Sequence, residues 1–537
     1  MRPSQPTLLA LLLAAQLTGC ASSEPRSESP PSQEGGAVGE AAPVASQTGV
    51  GGELLGQRTG AQPPRQGPQT FSQRVLTDSQ SFISDVVRDP DRSAVPGGRP
   101  APLLEIGDPY YGQGEINEGV ELPGGAIINP SLLVYGTFRS AIQVFDDGID
   151  AGAEGAKATS EWASRLDIFA NLRLTATERF LLGFRPLDGE RGFSGYHFEP
   201  DADDGWNEAW DGTVRTAFFE GDLGELLPDL DRSDDSLLDF GFSIGRQQLL
   251  FQDGVMINGT MDAVGITRNS LRFLPGSSNI RSTFLFAVPD AFQPARGDGR
   301  HLLGLFNALD LNLFGVETTG EVDFAYVNSR DAAGQGLFLG VGFTQRLGAF
   351  NTTFRYNGSF QLGEDDGSVE NGSLLTSEIS LDIGSDPLLP DVLYLNTFVG
   401  VDRYRSAFRD GESGTPLGRV GILFAAPGIG RYGSALASQP AGSVDRAGHP
   451  LVQADRSIGF ALGYQMFFLK GRHQLIVEVA GRRSTADGVD NGVIGAGARY
   501  QVAIGQHLVL LGETFGALIE GEKPAAGGGR LELLIKF

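Results

Sequence analysis

One cysteine, Cys20, stands in 537 residues, and that scarcity excludes an internal disulfide and a cysteine cluster for a metal. Long apolar runs are equally scarce. Past the N-terminus no stretch approaches the roughly 20 residues that a spanning helix needs, so membrane helices are not expected while membrane strands stay open. Basic residues are outnumbered: 41 Lys and Arg against 66 Asp and Glu give a formal charge of -25. Nucleic-acid phosphates demand the opposite balance, so nucleic acid is not an expected partner. The five histidines, His197, His301, His449, His473 and His507, are scattered and sit in no local Ser/His motif. A barrel hydrolase built from Ser, His and carboxylates therefore remains a lesser alternative to a non-enzyme. Metal ligation is weakly signalled. Asp201-Ala202-Asp203-Asp204-Gly205 lacks the spacing and terminal bidentate Glu of a calcium loop, and no cofactor is called for.

What the chain does have is glycine, aromatics and alternation: 76 Gly, 34 Phe and 11 Tyr, with an ordinary 40% of apolar residues. From about residue 131 apolar side chains recur at every second position. Leu132, Val134, Phe138, Ile142 and Val144 share one parity. Arg165 to Thr175 alternates over the roughly 9–11 residues of a tilted membrane strand, with Arg165, Asp167, Asn171 and Arg173 on its polar side. Similar stripes run through Leu337–Phe343, Phe354–Phe360, Ile379–Ile383, Leu393–Val401, Ile458–Phe468 and Ile494–Val502. No helix has this period. At the end, Leu531, Leu533, Ile535 and Phe537 oppose Arg530, Glu532 and Lys536, and an aromatic last residue suits a wall between lipid and water.

Turn-like clusters and longer polar stretches (187–213, 362–373, 405–417 and 428–455) alternate between these runs. The expectation is an all-β, transmembrane antiparallel barrel over 131–537, with 17–19 candidate strands. Eighteen is the preferred count, because an even number leaves both ends on the periplasmic side. A lipid-anchored soluble sandwich or β-helix is the alternative. The first wants strands of about 5–6 residues and the second a fixed short repeat.

Upstream, Met1-Arg2, the apolar core Leu8–Ala15 and Leu17-Thr18-Gly19-Cys20 resemble a bacterial lipoprotein signal. The resemblance implies a signal peptide over 1–19, lipidation of Cys20 and, with Ala21 following, sorting to the outer membrane. An ordinary secretory signal is the alternative. Residues 20–70 are rich in Ser, Pro, Gly and Gln and read as a disordered tether. Residues 71–130 read as a periplasmic or lumen-entering extension, with a short helix expected around Val75 to Val87.

Phe242-Ser243-Ile244-Gly245-Arg246-Gln247-Gln248-Leu249, then Asp253-Gly254-Val255-Met256-Ile257 and Met261-Asp262-Ala263-Val264, resemble the alginate-export family of outer-membrane barrels. Gly245, Arg246, Gln247 and Asp262 carry the motif. The resemblance implies an 18-stranded passive conduit, in some members with an Arg-rich constriction for acidic polysaccharide. A lipobox is not typical of that family, and the acidic charge argues against a polyanion cargo.

Charged side chains facing lipid cost about 2–4 kcal/mol each near the midplane, so ionic residues inside the strands are expected to point inward. The candidate pore-lining set is Arg139, Arg165, Asp167, Arg173, Arg355, Glu378, Asp382 and Arg499. Arg246 shares the parity of Phe242 and Ile244. Either its strand has left the membrane by then or a bulge near Gly245 turns it inward. Expected partners are membrane lipid, the barrel-assembly machinery acting on Phe537, and a small polar or saccharide solute. The alternative is a surface β protein binding a glycan or protein through acidic loops; Trp206 and Trp210 are candidates for stacking on sugar and equally for interface aromatics or loop packing.

Overall fold

A strand that is apolar at every second residue has one oily face and one polar face, and a closed row of such strands gives each face its own surroundings. The computed structural model describes residues 102–537, apart from 108–118, 147–158, 190–191, 199–204, 231–238, 289–299, 314, 329–333, 363–368, 385–388, 411–413, 426–428, 430–435, 437–453, 470, 487–491 and 521–525. Cys20, the signal-like segment, the tether, the helix expected around Val75 to Val87 and the Asp201–Asp204 cluster lie outside the described residues.

Among the described residues, eighteen antiparallel strands close a ring, the preferred count. In chain order they are β1 (Ser131–Asp146), β2 (Thr159–Arg173), β3 (Arg179–Phe184), β4 (Val214–Asp222), β5 (Phe240–Phe251) and β6 (Ile257–Leu271). Then come β7 (Ser277–Val288), β8 (His301–Leu313), β9 (Val316–Asn328), β10 (Gly336–Leu347), β11 (Phe350–Gln361) and β12 (Gly372–Ile383). The last six are β13 (Asp391–Asp402), β14 (Ser457–Phe468), β15 (His473–Ser484), β16 (Val493–Ile504), β17 (Leu508–Ile519) and β18 (Ala526–Lys536). Each pairs with the next, and β18 closes on β1, from Gly527 opposite Asp146 to Lys536 opposite Thr137. Phe537 completes that seam: its N–H donates to Gly136 O (3.1 Å) and the Gly136 N–H to its carbonyl (2.7 Å).

The start of β1 and the end of β18 share one rim, here the near rim. Most connections there are tight, such as 314–315, 348–349 and 505–507, and the longer ones lie at the far rim. The simple alternation fails twice. The near-rim link 223–239 is long and holds a helical turn, Leu223–Leu226, capped by the Asp222 carboxylate. The far-rim link 252–256 is short. Of the upstream segment, Leu104–Ile106 pairs with Leu132–Val134 of β1 at the near rim. Val120–Glu121 and Ile127–Ile128 form a small hairpin.

The outer face is a belt of exposed apolar side chains, including Ile142, Phe284, Leu305, Phe324, Leu395, Leu462, Val479 and Leu531. A water-soluble monomer rarely exposes so extended an apolar surface. No helix among the described residues is long and apolar enough to cross a membrane. The spanning elements are the strands, which satisfy their backbone within the ring.

Candidate functional site

The inner face holds the charges. Alternation turns Arg139 of β1 inward, where its Nε meets Glu532 Oε1 of β18 at 2.6 Å and its Nη2 meets Oε2 at 3.0 Å. Glu513 of β17 accepts from Arg499 Nε of β16 (3.0 Å) and from Arg530 Nη2 of β18 (3.2 Å). Arg530 Nη1 lies 3.5 Å from Glu532 Oε2, so one row of paired charges crosses β16, β17, β18 and β1. On β2, Asp167 accepts from Arg165 Nε (2.8 Å) and Arg185 Nε (2.9 Å). The row continues through Arg185–Asp188 (3.2 Å) and Arg215–Asp188 (3.6 Å) to Arg215–Asp211 (3.5 Å). A register shift between Val214 and Thr216 marks a bulge beside Arg215. Burial pulls the Asp211 carboxyl up, but hydrogen bonds from Thr213 and the Arg215 charge outweigh it and leave it below the ordinary range.

Across the barrel, Arg355 of β11 is almost wholly enclosed. It pairs with Asp253 at 2.7 Å, Glu378 of β12 at 3.5 Å and Glu321 of β9 at 3.6 Å. Arg173 and Asp382 lie on the same inner faces toward the near rim, both half-buried. The eight inward candidates therefore share the inner surface, but in separate groups: Arg165 with Asp167, Arg355 with Glu378, and Arg139 with Arg499 through the row that joins them.

The motif around Arg246 builds the most unusual part of the wall. β5 and β6 pair with their outer neighbours only up to Arg246 and Asp262; beyond these, Gln247–Met261 is a hairpin paired mainly to itself. Arg246 Nε and Asp262 Oδ1, 3.1 Å apart and both buried, stand where it leaves the ring. Neither alternative for Arg246 is found as expected: β5 keeps its pairing with β4 through Arg246 and leaves the ring beyond it, into the lumen rather than out of the membrane. Gly245 adopts φ +131 without a register shift, so no bulge is present there. Gln247 accepts from the Ser243 hydroxyl at 2.7 Å. The hairpin folds into the lumen. Leu249, Met256 and Met261 pack on the inner side chains of β7–β10, and Gln252 Nε2 donates to Asp323 Oδ2 of β9 at 2.7 Å. Glycine on β10 makes room: a Cβ at Gly340 falls 2.6 Å from Gln252 Cγ and 2.9 Å from Met256 Cε.

A second insert is the chain between β13 and β14, residues 403–456. It is sewn to the hairpin. Tyr404 OH (3.1 Å) and Ser406 Oγ (2.7 Å) donate to Val255 O, Ala407 N to Met256 O (2.8 Å), and Arg419 Nε to Asp253 O (3.1 Å). Arg409 donates to Gly254 O, and burial pushes its guanidinium down to about 10. Burial likewise drives the Tyr404 phenol above its ordinary range. Farther along, Leu417, Val420, Ile422, Leu423 and Phe424 pack on Leu374, Phe398, Ile476 and Ala480 of the wall. Glu478 of β15 accepts from Tyr394 OH (2.6 Å), Ile422 N (2.9 Å) and Leu423 N (2.9 Å). Gln143 of β1 donates to Ile429 O at 3.2 Å, so the insert also reaches β1. Where hairpin, insert and wall meet, a cavity of about 10 Å³ remains among Asp253, Arg355, Glu378, Asn396, Pro416 and Arg419, room for about one water.

Sequence reasoning missed Asp253, Glu321, Asp323, Glu478 and Glu513, and with them the partners that neutralise the arginines. Glu478 lies inside a clean alternating run, Val477-Glu478-Val479, which could have flagged it, whereas Glu513 follows Leu508-Val509-Leu510-Leu511, apolar on both parities. Asp253 gave no such signal, because its direction depends on the hairpin leaving the ring.

No protein-family model matches the chain, and no curated protein matches it. Similar solved structures include a BenF-like porin from Pseudomonas fluorescens Pf-5, at 10% identity and TM-score 0.47, covering 76% of this chain and 98% of that one. Pseudomonas aeruginosa OpdL, at 12% and 0.47, has the same coverage. Acinetobacter baumannii OccAB4, at 10% and 0.47, covers 78% of this chain and 100% of that one.

Proposed function

We propose that the chain is an outer-membrane porin giving passive passage to small polar solutes, saccharides among them, through a charged lumen. The observation that carries this reading is the division of side chains: an apolar belt outside, and inside it rows of paired charges on both sides of the barrel. Paired charges of both signs lining a constriction orient hydrated solutes and need no nucleophile or cofactor. Residues Arg139, Arg165, Asp167, Arg355, Glu378 and Arg499 line this path, with Arg173 and Asp382 toward its periplasmic end. The likeness to alginate-export barrels enters only as architecture. Lipidation at Cys20 ties the N-terminal segment to the membrane that holds the barrel, and the barrel-assembly machinery recognises the strand ending in Phe537.

Planar-bilayer recording tests the reading. Purified protein should give discrete conductance steps. Arg139→Gln, which leaves Glu532 without its bidentate partner, should move the reversal potential in a salt gradient toward cation preference. Absence of steps even after residues 405–453 are replaced by a short linker would refute it.

A second reading, glycan capture at the far rim, is favoured by Trp206 and Trp210, which are 68% and 77% exposed. Alanine at both positions should then abolish sugar retention while leaving conductance intact.

A further inference from the structure

Two inserts enter the lumen, and among the described residues one charged contact stands out. The turn Gly421–Phe424 lies against the inner wall with the N–H groups of Ile422 and Leu423 both aimed at the Glu478 carboxylate, each at 2.9 Å. Tyr394 OH, from β13, donates to the same carboxylate at 2.6 Å. Gly421 permits the approach, because a Cβ there falls 2.5 Å from Glu478 Oε2. A carboxylate serves all three donors, Oε2 taking Tyr394 OH and Ile422 N–H and Oε1 taking Leu423 N–H; an amide would turn its own N–H toward one of them. Beside the apolar wall contacts of Leu374, Phe398, Ile476 and Ala480, part of the wall beneath the inserts is polar. Asn357 is fully buried with neither side-chain polar atom bonded among the described residues, and Asn396 leaves its Oδ1 unbonded while its Nδ2 donates to Val420 O. An inner surface of this kind suits water better than the apolar residues now beside it.

We propose that Glu478 is the latch of a gate. By gripping the N–H groups of Ile422 and Leu423 it holds the stretch Pro416–Phe424 across the lumen, and loss of that grip opens the conduit. The inference rests on the conduit reading above. The hairpin tip travels with the gate, because the bonds from Tyr404, Ser406, Ala407 and Arg419 join it to the same insert. Apolar packing of the insert is opposed by the entropy of ordering a long segment, so the charged contact weighs in a close balance.

The test compares full-length protein with Glu478→Gln, Leu423→Pro and the double variant in planar bilayers, alongside the protein with 405–453 replaced by a linker. Either single change should raise the conducting fraction at least tenfold, equivalent to about 1.4 kcal/mol. The double variant should gain no more than either alone, because both cut the same contact. Leu423→Pro leaves every wall residue in place, so it carries the test should Glu478→Gln fail to assemble. Conduction by the linker protein with the available single variants indistinguishable from wild type overturns the latch and leaves the conduit reading standing. A silent linker protein overturns both.

Discussion

Leu462→Arg tests the membrane wall directly. Leu462 is the sixth residue of the twelve in β14, points outward and is 45% exposed. Twelve strand residues at about 3.3 Å each, tilted by roughly 40°, rise about 30 Å, so the sixth lies near mid-height. An arginine there must place its charge in hydrocarbon, at a cost of about 2–4 kcal/mol, falling to about 0–1 kcal/mol near the interface. Phe468, outward at the near-rim end of the same strand, is the internal control. In water the same exchange at an exposed leucine changes stability by no more than about 0.5 kcal/mol. The measurement is reversible denaturant unfolding from phospholipid vesicles, followed by tryptophan fluorescence. Leu462→Arg should cost at least about 1 kcal/mol more than Phe468→Arg. Equal costs at the two positions would refute the placement of β14 across a bilayer.

Arg355→Met strands Asp253, Glu321 and Glu378 around a neutral side chain; removing one partner of a buried charge cluster costs about 3–5 kcal/mol. The hairpin tip should loosen, read as new proteolytic cleavage within 252–256, and Arg355→Lys should be cut more slowly than Arg355→Met. Cys20→Ser should abolish incorporation of labelled fatty acid while leaving the yield of folded barrel unchanged; label retained by the serine variant would sink the lipidation proposal.

The wall was legible in the sequence because lipid and lumen impose opposite demands on successive residues. Leu393, Leu395, Val399 and Val401 could be assigned to one face, and Asn396 to the other, before any contact was known. Direction followed from parity for Arg139, Arg355 and Arg499, but partnership did not. Glu532 stands 393 positions from Arg139, and nothing local links them. The hairpin was harder still. Gln247–Met261 does not alternate, since Leu249-Leu250-Phe251 and Val255-Met256-Ile257 are apolar on both parities, and its departure depends on room made by Gly340 of β10 and on the ladder being relinquished past Arg246. Of the insert between β13 and β14, only 405–417 and 428–455 carry the polar pattern of outer loops; between them Val420, Ile422, Leu423 and Phe424 are an apolar run that water does not favour.

The join of β18 to β1 has a further consequence. It is the one union of neighbouring staves between opposite ends of the chain, since every other stave lies beside its predecessor and successor. The order of the staves is thus cyclic, and their numbering is a matter of where the thread was cut. Opening the polypeptide at the tight bend Gly348–Ala349 and splicing the old ends would keep all eighteen ladders while moving the distant pairing to β10 and β11.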